Sequence, residues 1–154
     1  MNRVLVLRNR QRTVRVNMRL LRRLALGLLL EKFHASEFEL GIHLVNADEM
    51  TRLNEHFLHH QGPTDVITFN YADPHQEAPH GEIYICPDEA LAQARKFRTT
   101  WVSELVRYVI HGLLHLHNYN DTDAAARKLM KREEKQLLKE VSREYPLDQL
   151  ARAK

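Results

Sequence analysis

The sequence predicts an α+β fold: one domain over residues 1–154, a small mixed β-sheet packed with helices, and a metal site at the end of a central helix. Three observations lead there. The chain has 154 residues, a size suited to one hydrophobic core. Short β-branched runs are interspersed with longer stretches of helical periodicity, the pattern of mixed α and β layers. The most apolar helical stretch carries two histidines four residues apart, with an aspartate six residues beyond the second.

Val4-Leu5-Val6-Leu7 reads as a first strand, with Thr13 to Val16 as a second strand or an extension. Met18 to Phe33 places Leu20, Leu21, Leu24, Leu28 and Phe33 at helical spacing, with arginines on the other side. Phe38 to Val45 alternates apolar and polar, as a strand does. Asn46 is placed to cap a helix carrying Met50, Leu53 and Phe57, which Gln61-Gly62-Pro63 breaks. Val66 to Phe69 is β-branched and aromatic, hence a strand. Tyr71 to His80, with two prolines, is a loop, and Glu82 to Cys86 a further strand. Pro87 opens a helix to about Phe97. Trp101 to Leu116 and Asp123 to Val141 are the last two helices, the first strongly apolar, the second charged.

Composition excludes several classes. An apolar fraction of 44% with 28% charged residues is that of a soluble globular protein. The longest apolar run, Leu24 to Leu30, is far short of the roughly 20 residues a membrane span needs. A lone cysteine, Cys86, makes no internal disulfide, as expected in the cytoplasm. The charge is unevenly placed. Residues 1–30 hold eight arginines and no acid, so subtracting them from the net +3 leaves −5 for the remainder. A basic end on an acidic body is an electrostatic footprint for a polyanion, or else a solvated helix face.

The chemistry concentrates in His111-Gly112-Leu113-Leu114-His115-Leu116-His117-Asn118-Tyr119-Asn120-Asp121. His111 and His115, at i and i+4, share one helix face and can grip one ion. Val102, Leu105, Val106, Val109 and Leu113 form the apolar arc, and the two histidines fall opposite it with Glu104 and Tyr108. Asn118 stands where the helix must turn back, and asparagine tolerates the left-handed conformation of such turns. That turn would return Asp121 to the imidazoles, giving two nitrogens and one oxygen with positions left open for water and substrate. Asp121 could instead cap the last helix, in competition with Thr122 and Asp123. His117 could be a nitrogen ligand, although it projects off the shared face. Zinc proteases of this spacing place a glutamate directly after the first histidine, where this chain has Gly112. Non-haem iron oxygenases share the ligand types but draw them from strands of β-rich folds.

Three segments together resemble the YbeY family of bacterial endoribonucleases. Leu53-Asn54 with Pro63-Thr64-Asp65-Val66-Ile67-Thr68-Phe69 is similar to one family element, Gly81 to Cys86 to another, and His111 to Asp121 to the family's His-Gly-x-Leu-His-Leu-x-Gly-Tyr-Asp-His motif. The resemblance spans roughly residues 38–140. It implies one Zn²⁺ per chain at His111, His115 and Asp121, and cleavage of single-stranded RNA in rRNA maturation and ribosome quality control. It also implies roles for Thr64, Asp65 and Thr68 beside the metal, orienting water or a ligand histidine. In strand terms alone these three are a strand-start cap and a surface threonine. Arg19, Arg22 and Arg23 would then grip the RNA backbone. No membrane and no small-molecule cofactor is expected.

The sequence departs from the family motif at Asp121, where the family has a third histidine, and at Asn118 and Asn120, where it has Gly and Asp. An arginine and a lysine usual near Leu58 and His60 are also missing. The competing reading is a ribosome-associated assembly factor with a largely structural metal, or another zinc hydrolase.

Overall fold

The computed structural model describes residues 2–151. Strand β1 (Arg3–Arg10) leads to helix α1 (Met18–Gly27), which runs on through a π-turn (Leu28–Lys32). Then come β2 (Phe38–Val45), α2 (Ala47–Leu53) with its own π-turn (Asn54–Leu58), β3 (Val66–Asn70) and β4 (His80–Ile85). Helices α3 (Pro87–Phe97), α4 (Trp101–Leu116) and α5 (Ala124–Glu144) follow, and a 3₁₀ turn (Leu147–Ala151) ends the described chain. The sheet has the order β1-β2-β4-β3. The first three strands are parallel, and β3 is antiparallel to β4. This is the expected mixed sheet packed with helices. No described helix is long and apolar enough to cross a membrane.

Alternation along the strands explains the layers. Leu40, Ile42 and Leu44 of β2, with Ile83 and Ile85 of β4, join the main core with residues of α1, α4 and α5. The other face carries Gly41, His43, Glu82 and Tyr84, and α2 covers only its far end. There Met50 packs with Val45, Ile67 and Cys86 in a second, smaller cluster. Cys86 is fully buried, and its thiol is pushed up to about 11 chiefly by desolvation, as for an inert small hydrophobe. Phe57, at the end of the α2 segment, is 53% exposed rather than part of a core stripe.

The helix starts obey their local chemistry. Asn46 Oδ1 accepts from Glu49 N at 2.8 Å, as its position predicts, and Asn17 and Thr100 cap α1 and α4 in the same way. At its far end α1 is tied to α5, where Lys32 Nζ lies 3.0 Å from Glu140 and 2.6 Å from Glu144.

Thr13 to Val16 is not a strand. The Gln11 side chain accepts from Val14 N at 3.1 Å and donates to Val14 O at 2.9 Å, so it saturates the groups that a neighbouring strand would have used. The β-branched residues there fit a side-chain-locked bend as well as a strand. The first strand is in turn longer than the Val4–Leu7 run, because its polar end pairs with β2 out to Arg10–Val45.

Helix α4 is buried well beyond one arc, with a half-exposed face left at Ser103, Arg107, His111 and His115. Besides the predicted apolar positions, Glu104, Tyr108, Ile110, Gly112, Leu114 and Leu116 are buried. It approaches the sheet closely at Gly112, where a Cβ would stand 2.7–2.9 Å from the Ile83 side chain. Gly112→Ala should therefore push helix from strand and cost about 1–3 kcal/mol. A urea midpoint equal to that of the parent chain would contradict this packing.

Candidate metal centre

His111 and His115 occupy the last two turns of α4, one above the other on the face turned towards α5. Their Nε2 atoms face each other at 3.1 Å, with ring centroids 4.7 Å apart. Both rings are roughly a quarter exposed, at 28% and 26%. The helix stops at Leu116, and Asn118 adopts φ 71°, the left-handed residue anticipated at the reversal. Asn118 N donates to His115 O at 3.1 Å and Tyr119 N to Leu114 O at 3.0 Å, which closes the last carbonyls.

That reversal brings Asp121 back, with Oδ2 3.9 Å from His115 Nε2. One ligand atom from each of His111, His115 and Asp121 lies within 4.8 Å of the others, so one ion can be reached by all three. Asp121 does not cap α5. Asp123 does, accepting from Ala126 N at 2.8 Å, while Asn120 Oδ1 takes the N–H and hydroxyl of Thr122. The Asp121 carboxylate thus stays out of the helix start.

His117 is directed elsewhere. Its ring stacks on Phe33 at 4.2 Å, Nδ1 donates to Leu113 O at 2.7 Å, and Nε2 is buried without a partner. Burial holds its pKa below the usual histidine value, so it is a neutral packing residue.

Electrostatics favour the neutral form of His115. Desolvation lowers the His115 pKa, and neighbouring His111 lowers it further, against the opposing pull of Asp121. A neutral ring is the form that ligates metal.

A further acidic residue, Glu134 of α5, meets the site. Its Oε2 lies 2.8 Å from His111 Nδ1, and its Oε1 accepts from Arg107 Nη1 at 3.1 Å. Burial works to raise the Glu134 pKa, but His111 and Arg107 together hold it below the usual carboxylate range. Arg107 also donates to Glu104 Oε1 at 2.7 Å, and Thr99 donates its hydroxyl to the other Glu104 oxygen at 3.2 Å. Sequence reasoning missed Glu134, because it sits in the charged run Arg132-Glu133-Glu134-Lys135. The available signal was helical spacing: Met130, Glu134, Leu137 and Val141 are the buried positions of α5, and Glu134 is the polar one among them.

The remaining anticipated residues lie on or before β3 and on α1. Asp65 Oδ1 accepts from Val66 N at 2.8 Å and from Thr64 Oγ1 at 3.4 Å, a strand-start cap. Thr68 lies opposite Ile83 in the β3–β4 register, on the α4 side of the sheet. Among the described residues no hydrogen bond joins Thr64, Asp65 or Thr68 to His111 or His115. Arg19 and Arg23 are exposed on α1, and Arg22 donates to the Leu5 carbonyl of β1.

Comparison with known proteins gives the family. The sequence matches the family described as Endoribonuclease YbeY over residues 6–142. The chain belongs to the YbeY family. A YbeY endoribonuclease of Thermotoga petrophila is 36% identical over 118 residues, 76% of this chain and 77% of that protein. One from Elusimicrobium minutum is 34% identical over 104 residues, covering 66% and 73%. The solution structure of TM1509 from Thermotoga maritima superimposes with a TM-score of 0.67 at 30% identity, over 92% of this chain and 91% of that one.

Because Asn118 is left-handed, Asn118→Gly should fold at least as well as the parent. Asn118→Val should lose about 1–2 kcal/mol and detach Asp121 from His115. Thermal unfolding with His115 ring NMR shifts reads both effects. Equal behaviour of the two variants would show that the turn does not govern the site.

Proposed function

We propose that this chain is a zinc-dependent, single-strand-specific endoribonuclease, acting in the cytoplasm on rRNA during its maturation and in ribosome quality control. The observation that supports it most is the convergence of His111 Nε2, His115 Nε2 and an Asp121 oxygen in a member of the YbeY family. Zinc bonds near 2.0–2.1 Å at tetrahedral angles put neighbouring ligand atoms about 3.3 Å apart. The observed 3.1 Å and 3.9 Å bracket that spacing, so the donor set fits the ion with little movement. Three protein ligands leave a coordination position free, the arrangement of catalytic rather than closed structural sites.

Bound there, zinc supplies Lewis-acid activation of water and of a phosphoryl oxygen. The protein's own part is positioning. His111 and His115 present ring nitrogens from one face of a rigid helix, and the Asn118 reversal delivers the Asp121 carboxylate. Thr64, Asp65 and Thr68 act from the adjoining strand as orienting groups; both bonds of Asp65 fall on Oδ1, which leaves Oδ2 for a water or a ribose hydroxyl. Arg19 and Arg23 meet backbone phosphates, while Arg22 is already engaged with β1.

Asp121→His should retain zinc, because the turn is in place and imidazole reaches about as far as carboxylate. Asp121→Ala should lose zinc and RNA cleavage while the apolar core keeps the fold. Metal content and cleavage of a defined single-stranded RNA, with and without chelator, check this. Identical His and Ala variants would remove Asp121 from the ligand set. Zinc retention without turnover would favour the assembly-factor reading.

If the arginines of α1 contact phosphate, RNA affinity should fall with salt at a log–log slope of about −0.7 per contact. Arg19→Gln with Arg23→Gln should flatten that slope and leave metal content intact. An unchanged slope would assign both residues to a solvated face.

A further inference from the structure

We propose that Glu134 is a positioning residue of the metal centre: it takes the Nδ1 proton of His111 and thereby aims Nε2 at the ion, while Arg107 locks the carboxylate in that orientation. The proposal rests on reading His111 and His115 as ligands. An ionised carboxylate accepts hydrogen bonds and donates none, so the 2.8 Å contact requires the proton on His111 Nδ1. The lone pair then falls on Nε2, the atom that faces His115 Nε2. The two oxygens of Glu134 are divided between partners, Oε2 to His111 and Oε1 to Arg107. Neither can rotate away without breaking a bond.

Arg107 is itself fixed, because its second terminal nitrogen is held by Glu104, a carboxylate that is only 5% exposed. The chain of contacts therefore runs from Thr99 through Glu104, Arg107 and Glu134 to His111, joining the segment before α4 to α4 and α5. A buried ionic network is weak evidence for stability, since well-packed apolar residues commonly stabilise a helix pair as well or better. What carboxylates add is control of a proton. Carboxylate partners of ligand imidazoles do this in metal sites generally.

A mere pin between α4 and α5 and a positioning residue predict different behaviour for the isosteric Glu134→Gln. The amide keeps shape, size and both hydrogen bonds. Beside the Arg107 donors its oxygen must turn to the guanidinium, leaving the NH₂ to face His111. The His111 Nδ1 must then accept, which moves the ring proton to Nε2 and blocks the ligand lone pair. In the metal-free variant, ring ¹⁵N NMR shifts should therefore show His111 switched from the Nδ1–H to the Nε2–H tautomer. Zinc affinity, measured by competition with a chromophoric chelator, should fall about 10–100-fold. Glu134→Asp, which restores an acceptor-only group, should keep the Nδ1–H tautomer and an affinity between the two.

An unchanged tautomer and unchanged zinc affinity in Glu134→Gln would make Glu134 a helix pin and overturn the proposal. If the parent chain bound no zinc although His111 carried its proton on Nδ1, the ligand reading would fail instead.

Discussion

The contact on which the rest depends is the flush seating of α4 on β4 at Gly112. With no Cβ there, the helix backbone settles onto Ile83 at a distance any other residue would forbid. That seating fixes the rotation of α4 about its own axis. Once Gly112 faces the sheet, the face bearing Arg107, His111 and His115 is turned away from it and towards α5. The glycine directly follows His111, so the residue that sets the helix in place and the first of the candidate ligands are neighbours in the chain.

Seating α4 so deeply also explains why its polar side is structured rather than solvated. Glu104, Arg107, Tyr108 and Glu134 are all drawn below the surface or to its edge when α5 closes over the helix. Buried charges survive only when paired and hydrogen-bonded. Here they are, in a line in which Arg107 separates two carboxylates and the second of these ends on an imidazole. Tyr108 is the exception. Its hydroxyl is buried without a partner, and its pKa is raised by desolvation and then by the charge of Asp65.

The parts of this centre that were legible in the sequence were the ones encoded by local rules. Helical spacing gives the His111–His115 pair, the left-handed tolerance of asparagine gives the reversal, and Asn46 announces its helix. What local rules could not give was partner choice. Gln11 satisfies Val14 through a side chain, which no β-propensity registers, and so a strand was expected where a bend exists. Glu134 hides among charged neighbours because its burial is decided by the packing of α5 on α4, not by its own segment. The competition among Asp121, Thr122 and Asp123 for the α5 cap was likewise open in the sequence. It is resolved by geometry, with Asp123 in the cap and Asp121 beside His115.

Charge balance links this arrangement to its proposed chemistry. By formal charge, Asp121, Glu134 and Glu104 contribute three negatives, against the positives of Arg107 and of Arg127, which donates to the Asp121 backbone carbonyl, leaving −1 around the two imidazoles. A divalent cation would reverse that charge. Without it, a phosphodiester approaching the centre would meet a cluster of its own sign at short range, in a partly desolvated setting where repulsion is poorly screened. With it, the centre would turn a net positive charge towards the phosphate. An aspartate in place of a third histidine therefore does more than change a ligand atom. On the proposed reading it lowers the net charge of the centre by one unit relative to a neutral imidazole.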